Sequence, residues 1–112
     1  MFDDGLRIDA FHSEGVLTLS IRGEIDMSSA PRLQAVLERS IARTKRVSLD
    51  LSGVSFMDSS GVNLLLRAVV AGRDMGCSLA VVAASRQVRQ VLQISGVVEV
   101  VGLESELADT LS

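Results

Sequence analysis

An aspartate followed by two serines marks the place where this chain could carry chemistry. Asp58, Ser59 and Ser60 stand between the apolar residues of a predicted strand and a predicted helix over residues 62–75. Free backbone N–H groups and the positive end of the helix dipole meet at a helix N-terminus, where they stabilise an anion. The arrangement therefore predicts a switch in which a phosphate is attached to one of the two serines.

The same residues have a simpler interpretation as a helix cap. Aspartate and serine are common N-caps, because a side-chain oxygen accepts a hydrogen bond from the first helical turn. A cap needs only one such residue, and Asp58, Ser59 and Ser60 supply three. Gly61 is a poor helix former in the first turn, and it fits a place where backbone or another molecule approaches closely. Capping and phosphorylation both stand as hypotheses.

Catalysis is a third interpretation, and the residue types argue against it. A nucleophilic serine needs a base, and the only histidine, His12, lies in a predicted hairpin turn without an evident orienting acid. A magnesium site could combine Asp26, Asp50 and Asp58, but the only lysine, Lys45, is not an obvious partner for aspartyl phosphate chemistry. We therefore expect no enzyme activity, no catalytic residue, no cofactor and no metal site.

Composition narrows the class of partner. Hydrophobic residues make up 47% of the 112 residues and aromatic residues only 3%, and the formal net charge is −3. A chain without basic blocks or stacking aromatics does not fit nucleic-acid binding. One cysteine excludes an internal disulfide. Without a signal-like N-terminus or an apolar run of about 18 residues, a cytoplasmic chain without direct membrane insertion is expected.

Hydrophobic periodicity supplies the elements that must position the serines. It predicts the order β-β-α-β-α-β-α-β-α, with a hairpin over residues 6–22, strands over 47–51, 78–83 and 97–101, and a last helix over 104–111. Alternating strands and helices predict an α/β fold with a mostly parallel sheet, entered through an antiparallel hairpin and flanked by about four helices. The length fits a single domain over residues 1–112.

The helix over residues 62–75 carries a candidate docking stripe. At about 100° per residue, Leu66 and Val70 fall on its polar side, edged by Asn63 and Arg67. Exposed apolar side chains with a polar rim often mark partner sites. The alternative is that a neighbouring helix, the third or the last, covers Leu66 and Val70. A stripe on the helix that begins at the serines would let an added charge act directly on binding.

Three segments match the pattern of a known family: Phe56-Met57-Asp58-Ser59-Ser60-Gly61, Gly23-Glu24-Ile25-Asp26 followed by Ser29-Ala30-Pro31, and Arg89-Gln90-Val91-Leu92-Gln93-Ile94-Ser95-Gly96. Together they resemble the STAS domain, in the branch of the anti-sigma factor antagonists, over residues 6–107. The resemblance implies the STAS fold, a small sheet flanked by helices with the modified serine at the start of the second helix.

The resemblance also implies a function. Such a protein binds an anti-sigma factor that is itself a serine kinase, and binding releases the sigma factor. The kinase phosphorylates the serine directly after the aspartate, here Ser59 with Ser60 as second choice, and the phosphorylated form dissociates until a serine phosphatase resets it. The alternative is a STAS interaction subunit of a transporter or signalling scaffold, in which the serine is never modified.

The predicted partner-binding residues surround this serine on both loops and along the second helix. Asn63 stands where the family often has a second glycine, and Arg67 where a small residue is common, so partner choice is expected to differ at these positions. The added phosphate is expected to lie beside Asp58, and near Asp26 if the two loops meet. The complete set is Asp26, Asp58, Ser60, Gly61, Asn63, Leu66, Arg67 and Val70.

Overall fold

The structure is a computed structural model that describes residues 4–103. Its element order agrees with the prediction up to the third helix. The elements are β1 (Leu6–Ser13), β2 (Val16–Ile25), α1 (Ala30–Arg43), β3 (Arg46–Met57), α2 (Ser59–Asp74), β4 (Ser78–Ala84) and α3 (Arg86–Ile94). The described part therefore has three helices, where about four are predicted for the chain, and the helix predicted over 104–111 lies outside the described residues.

The four strands form one sheet in the order β1-β2-β3-β4. The strands β1 and β2 are antiparallel, whereas β2 pairs with β3, and β3 with β4, in parallel. Glu14 and Gly15 make the hairpin turn, with φ angles of 51° and 81° that match a two-residue turn of the type favoured between twisted strands. The prediction of a mostly parallel sheet entered through an antiparallel hairpin is confirmed.

Two strands extend further than the hydrophobic pattern indicates. The prediction ends them at residues 22 and 51, but β2 continues to Ile25 and β3 to Met57. Register shifts accompany the extension, between Ser20 and Arg22 and between Gly23 and Glu24. Such irregularities interrupt the alternation of buried and exposed residues, which is why the pattern alone ends the strands early.

The strand predicted over residues 97–101 is wrong. The Val101 N–H donates to the Val97 carbonyl at 3.1 Å, which is a helical turn, and the Val101 carbonyl accepts a single hydrogen bond of 2.7 Å from Val81 of β4. Gly96 and Gly102 have φ angles of 72° and 84° and bend the chain on either side. Valine-rich composition favours a strand, but here Val97 and Val101 are buried against the core as a turn beside β4.

The core lies between the sheet and the apolar faces of the helices. Leu33, Leu37 and Ile41 are buried on α1, as their spacing predicts. On α2 the helical spacing predicts a core face, and all of its residues are buried except Met75, which is 60% exposed. The predicted face consists of Val62, Leu65, Ala68, Val69, Gly72 and Met75. That part of the prediction is wrong because Met75 is the C-cap of α2, where the backbone has left the helical path.

An ion pair fastens the start of β1 to the first turn of α1. Arg32 donates from Nε to Asp4 Oδ2 at 2.9 Å and from Nη2 to Asp4 Oδ1 at 3.0 Å, and Nη2 also donates to the Leu6 carbonyl. The Leu6 N–H donates to Asp4 Oδ1 at 3.1 Å. The hydrogen bonds from the Arg32 side chain are the main reason that the pKa of Asp4 is lowered from 3.8 to about 2.

A pH titration checks this contact. Because the folded pKa of Asp4 lies below its ordinary value, the stabilisation is complete above about pH 4 and is lost as the pH falls towards 2. We expect the substitution Arg32→Gln to raise the Asp4 pKa back towards 3.8, measured by carboxyl NMR shifts. The control Arg39→Gln, on the same helix, should leave the Asp4 pKa in place. An unchanged Asp4 pKa in Arg32→Gln would contradict this interpretation.

Candidate functional site

The carboxyl ends of β2 and β3 bring the two predicted loops together. Ile25 and Met57 are paired residues in the parallel ladder. The N–H of Asp58 donates to the Ile25 carbonyl at 3.2 Å. Asp26 and Asp58 therefore follow neighbouring positions on one edge of the sheet, and each leads into a helix. In open α/β sheets, ligands bind at the carboxyl ends of the strands.

Asp58 caps α2, which confirms the capping hypothesis. Its Oδ1 accepts a hydrogen bond of 2.9 Å from the Ser60 N–H and a second hydrogen bond from the Ser60 hydroxyl. The Asp58 carbonyl accepts from the Gly61 N–H at 3.0 Å. Two of the three polar residues are thereby committed to holding the helix N-terminus.

Ser59 differs from Ser60 in exposure and in hydrogen bonding. Ser59 is the first residue of α2 and is exposed, whereas Ser60 is half-buried. Within the range 4–103, the Ser59 hydroxyl makes no hydrogen bond to another protein group, while the Ser60 hydroxyl donates to Asp58. The Ser59 hydroxyl is therefore open to solvent and takes no part in the cap, whereas modification of either serine remains a prediction.

The Asp26 loop repeats the hydrogen-bond pattern of the Asp58 loop. Asp26 Oδ1 accepts from the Ser28 N–H at 2.9 Å and from the Ser28 hydroxyl at 2.7 Å. The buried Ser29 hydroxyl donates to the Glu24 carbonyl at 2.8 Å and fixes the turn. The hydrogen bond from the Ser28 hydroxyl is the largest cause that lowers the pKa of Asp26 below 3.8. The Asp26 loop therefore carries a negative charge at neutral pH.

Gly61 is explained by contacts inside the domain. A Cβ atom at this position would lie 2.5 Å from Met57 Cγ and 2.9 Å from Ile25 Cγ2. The absent side chain lets the first turn of α2 rest directly on the ends of β2 and β3. The sequence predicts a close approach at Gly61. The structure shows one, to the strand ends at Met57 and Ile25. A contact between Gly61 and a partner remains a prediction.

The predicted stripe on α2 is open to solvent at one of its two apolar positions. Val70 is 52% exposed and Leu66 is half-buried, while Asn63 and Arg67 are exposed. A shallow groove of about 350 Å³ runs along Leu66 and Val70. One alternative was that α3 covers Val70. Among the described residues, it does not. Whether a partner uses this stripe remains a prediction.

Two exposed apolar residues, one in the Asp26 loop and one shortly before Asp58 in the chain, are absent from the sequence prediction. Met27, in the Asp26 loop, is 80% exposed, and Phe56, one residue before the paired Met57, is 46% exposed. A methionine inside the polar run from Asp26 to Ser29 is a signal that could have identified the first. The exposure of Phe56 depends on the extension of β3, which the sequence pattern does not predict.

Asp50 is remote from the two loop aspartates. Its Oδ1 accepts from the Ser52 N–H at 2.9 Å and from the Ser52 hydroxyl at 2.6 Å. Extended strand separates Asp50 from Asp58 by roughly 25 Å. Over residues 4–103 there is no group of three or more histidine, cysteine, aspartate or glutamate side chains that could hold a metal ion. In that same range, every helix is too short or too polar to cross a membrane.

Comparison with known proteins places the described geometry in a family context. The STAS domain model matches residues 7–111. The chain is 26% identical over 109 residues to the anti-sigma F factor antagonist of Paenibacillus polymyxa, covering 96% of this chain and 93% of that protein.

Solved structures agree with this match. A crystal structure of an anti-sigma factor antagonist from Mycobacterium paratuberculosis superposes with a TM-score of 0.75, at 25% identity and 97% coverage of both chains. The phosphorylated form of the Bacillus cell fate determinant SpoIIAA has a TM-score of 0.67, at 22% identity, and covers 95% of this chain and 100% of that one. The second likeness shows the fold alone.

Gly61→Ala tests the seat of α2 on the sheet. The new methyl group clashes with Met57 and Ile25, and overpacking of this kind costs about 1–3 kcal/mol. Alanine regains about 1 kcal/mol of helix propensity. We therefore expect a net loss of up to about 2 kcal/mol in the free energy of unfolding, measured by urea denaturation. The exposed Asn63→Ala on the same helix is the control and should not destabilise the domain. A gain of about 1 kcal/mol in Gly61→Ala, which is the helix propensity without any clash, would show that the first turn is not seated as described.

Proposed function

The chain belongs to the STAS domain family, and we propose on that premise that it is an anti-sigma factor antagonist switched by phosphorylation of Ser59. The observation that carries the proposal is the exposed Ser59 hydroxyl, which has no protein hydrogen-bond partner among residues 4–103 and stands at the N-terminus of α2. A hydroxyl in this position accepts a phosphate without loss of the Asp58–Ser60 cap.

The proposed partner is an anti-sigma factor with serine kinase activity, and a serine phosphatase reverses the modification. The names of the similar proteins from Paenibacillus polymyxa and Mycobacterium paratuberculosis support an anti-sigma factor as the binding partner. In this scheme the unmodified chain binds the anti-sigma factor and thereby releases the sigma factor. The chain itself is not an enzyme in this scheme, because its part is to bind and to be modified.

The switch is electrostatic. A phosphate on Ser59 adds about −1.5 to −2 charges next to the carboxylates of Asp58 and Asp26. Within the domain, the helix N-terminus offsets the repulsion between the phosphate and these carboxylates by about 0.3–1 kcal/mol. Water also screens the exposed site. In a complex the same charge is desolvated against the partner. A loss of about 3 kcal/mol there weakens binding more than a hundredfold, so binding is lost while the fold is kept.

Substitutions at Ser59 test the switch. We expect Ser59→Asp to weaken binding of the anti-sigma factor at least tenfold with little change in unfolding free energy, measured by calorimetry and urea denaturation. Ser59→Ala should bind constitutively and accept no phosphate from the kinase. Ser60→Ala is the matched control and should still be phosphorylated, since Ser59 remains. If Ser59→Ala is phosphorylated as fast as the wild type, Ser59 is not the acceptor.

We propose that the docking surface has apolar contacts on both sides of Ser59. Met27 follows the end of β2 and Phe56 lies near the end of β3. Leu66 and Val70 follow on α2, about 10 and 16 Å from Ser59 along the helix axis. Exposed apolar side chains next to charged groups are typical of interface anchors. Asn63 and Arg67 border the α2 side, and Asp26 and Asp58 border the other.

Glutamine substitutions test this surface. Met27→Gln and Val70→Gln should each weaken binding of the unphosphorylated protein by about tenfold, because truncated or polar anchors typically cost 1–2 kcal/mol. Phe11→Gln is the matched control: Phe11 is 59% exposed but lies on β1 next to the hairpin turn. Surface plasmon resonance with the anti-sigma factor measures all three. An effect at Met27 without one at Val70 would remove the α2 stripe from the interface.

A further inference from the structure

A groove of about 280 Å³ lies between the β1–β2 hairpin and the C-terminal half of α1. Leu19 of β2 and Val36 of α1 belong to its apolar lining. His12, Arg39 and Arg43 line it as well, and all three are exposed. The groove thus combines an apolar floor with three basic side chains at its mouth.

The sequence of α1 explains why this groove is open. Leu33, Leu37 and Ile41 fill the core face of the helix, but Ser40 lies on the same stripe and is much smaller. Its buried hydroxyl donates to the Val36 carbonyl at 2.8 Å, so the polar group is satisfied within the helix. A serine where the stripe otherwise carries leucine or isoleucine leaves space against the hairpin.

The two arginines of the groove have no anionic partner within residues 4–103. Neither Arg39 nor Arg43 makes a salt bridge or a side-chain hydrogen bond there. The nearby Glu38 carboxylate accepts from Gln34 Nε2 at 2.9 Å. Arg39 and Arg43 stand one turn apart on one helix face, where like charges disfavour each other by about 0.2–0.5 kcal/mol. A bound anion would remove that cost.

We propose that this groove binds a small phosphate monoester with an apolar body. Guanidinium groups offer paired donors that match phosphate oxygens, and His12 adds a donor from the opposite side of the groove. The apolar part would rest on Val36, which is half-buried, and displace water from it. The site is distinct from Ser59, because α1 begins after the Asp26 loop and ends at Arg43, about 21 Å further along its axis.

An NMR titration with hexyl phosphate tests the proposal. We expect saturable shifts of the amides of residues 10–12, 17–19 and 36–44, with an affinity at least tenfold higher than for hexan-1-ol or inorganic phosphate. The first comparison removes the charge and the second removes the apolar body. A result in which hexan-1-ol or inorganic phosphate binds as tightly as hexyl phosphate overturns the proposed ligand class.

Two sets of variants separate charge from volume. The double variant Arg39→Gln/Arg43→Gln should weaken hexyl phosphate at least tenfold, whereas Arg73→Gln, an exposed arginine of α2 outside the groove, should not. Ser40→Leu keeps both arginines but fills the groove, and it should also abolish binding. Binding of the double variant within twofold of wild type overturns the proposal. So does arginine-dependent binding to phosphatidylglycerol vesicles without binding of hexyl phosphate, which would identify a membrane surface.

Discussion

The hydrogen bond from the Asp58 N–H to the Ile25 carbonyl is the constraint on which the candidate site depends. It joins the ends of two parallel strands that are separated along the chain by the whole of α1. It therefore brings the Asp26 loop beside the Asp58 loop and sets the point at which α2 begins. Gly61 completes this arrangement, since only a residue without Cβ lets the first helical turn lie against Met57 and Ile25. The positions of the two loops, and of the aspartates that they carry, follow from this hydrogen bond.

In the proposed switch, the triplet from Asp58 to Ser60 has two tasks, which are to cap α2 and to carry the phosphate. Asp58 accepts the capping hydrogen bonds, and Ser60 holds the aspartate in place through its N–H and hydroxyl. The Ser59 hydroxyl takes part in none of these hydrogen bonds, so a phosphate on it would leave the cap in place. One residue that both capped the helix and carried the phosphate could not perform both tasks, because its modification would disrupt the cap. The surplus of polar residues that the sequence displays therefore has a physical explanation.

Much of this could be predicted from the sequence, and the failures have physical reasons. The alternation in β2 and the stripe of Leu33, Leu37 and Ile41 predict buried faces because periodicity reports packing directly. The turn over residues 97–101 could not be predicted from its valines, because Gly96 and Gly102 decide the local path. The exposure of Phe56 depends on register shifts between β2 and β3, and such shifts have no simple signature in composition. The sequence alone also does not show that Asp26 lies near Asp58, because this depends on the pairing of β2 with β3.

The distribution of charge matters more for partner choice than its sum. A net charge of −3 indicates only that the chain is mildly acidic. Within this total, Asp26 and Asp58 lie at the carboxyl ends of β2 and β3, whereas Arg39 and Arg43 lie in the C-terminal half of α1. Screening in water reduces interactions beyond about 8–10 Å, so the two ends act on their surroundings almost independently. A charge added at Ser59 is consequently felt by whatever touches that edge and hardly at all by the groove beside Arg43.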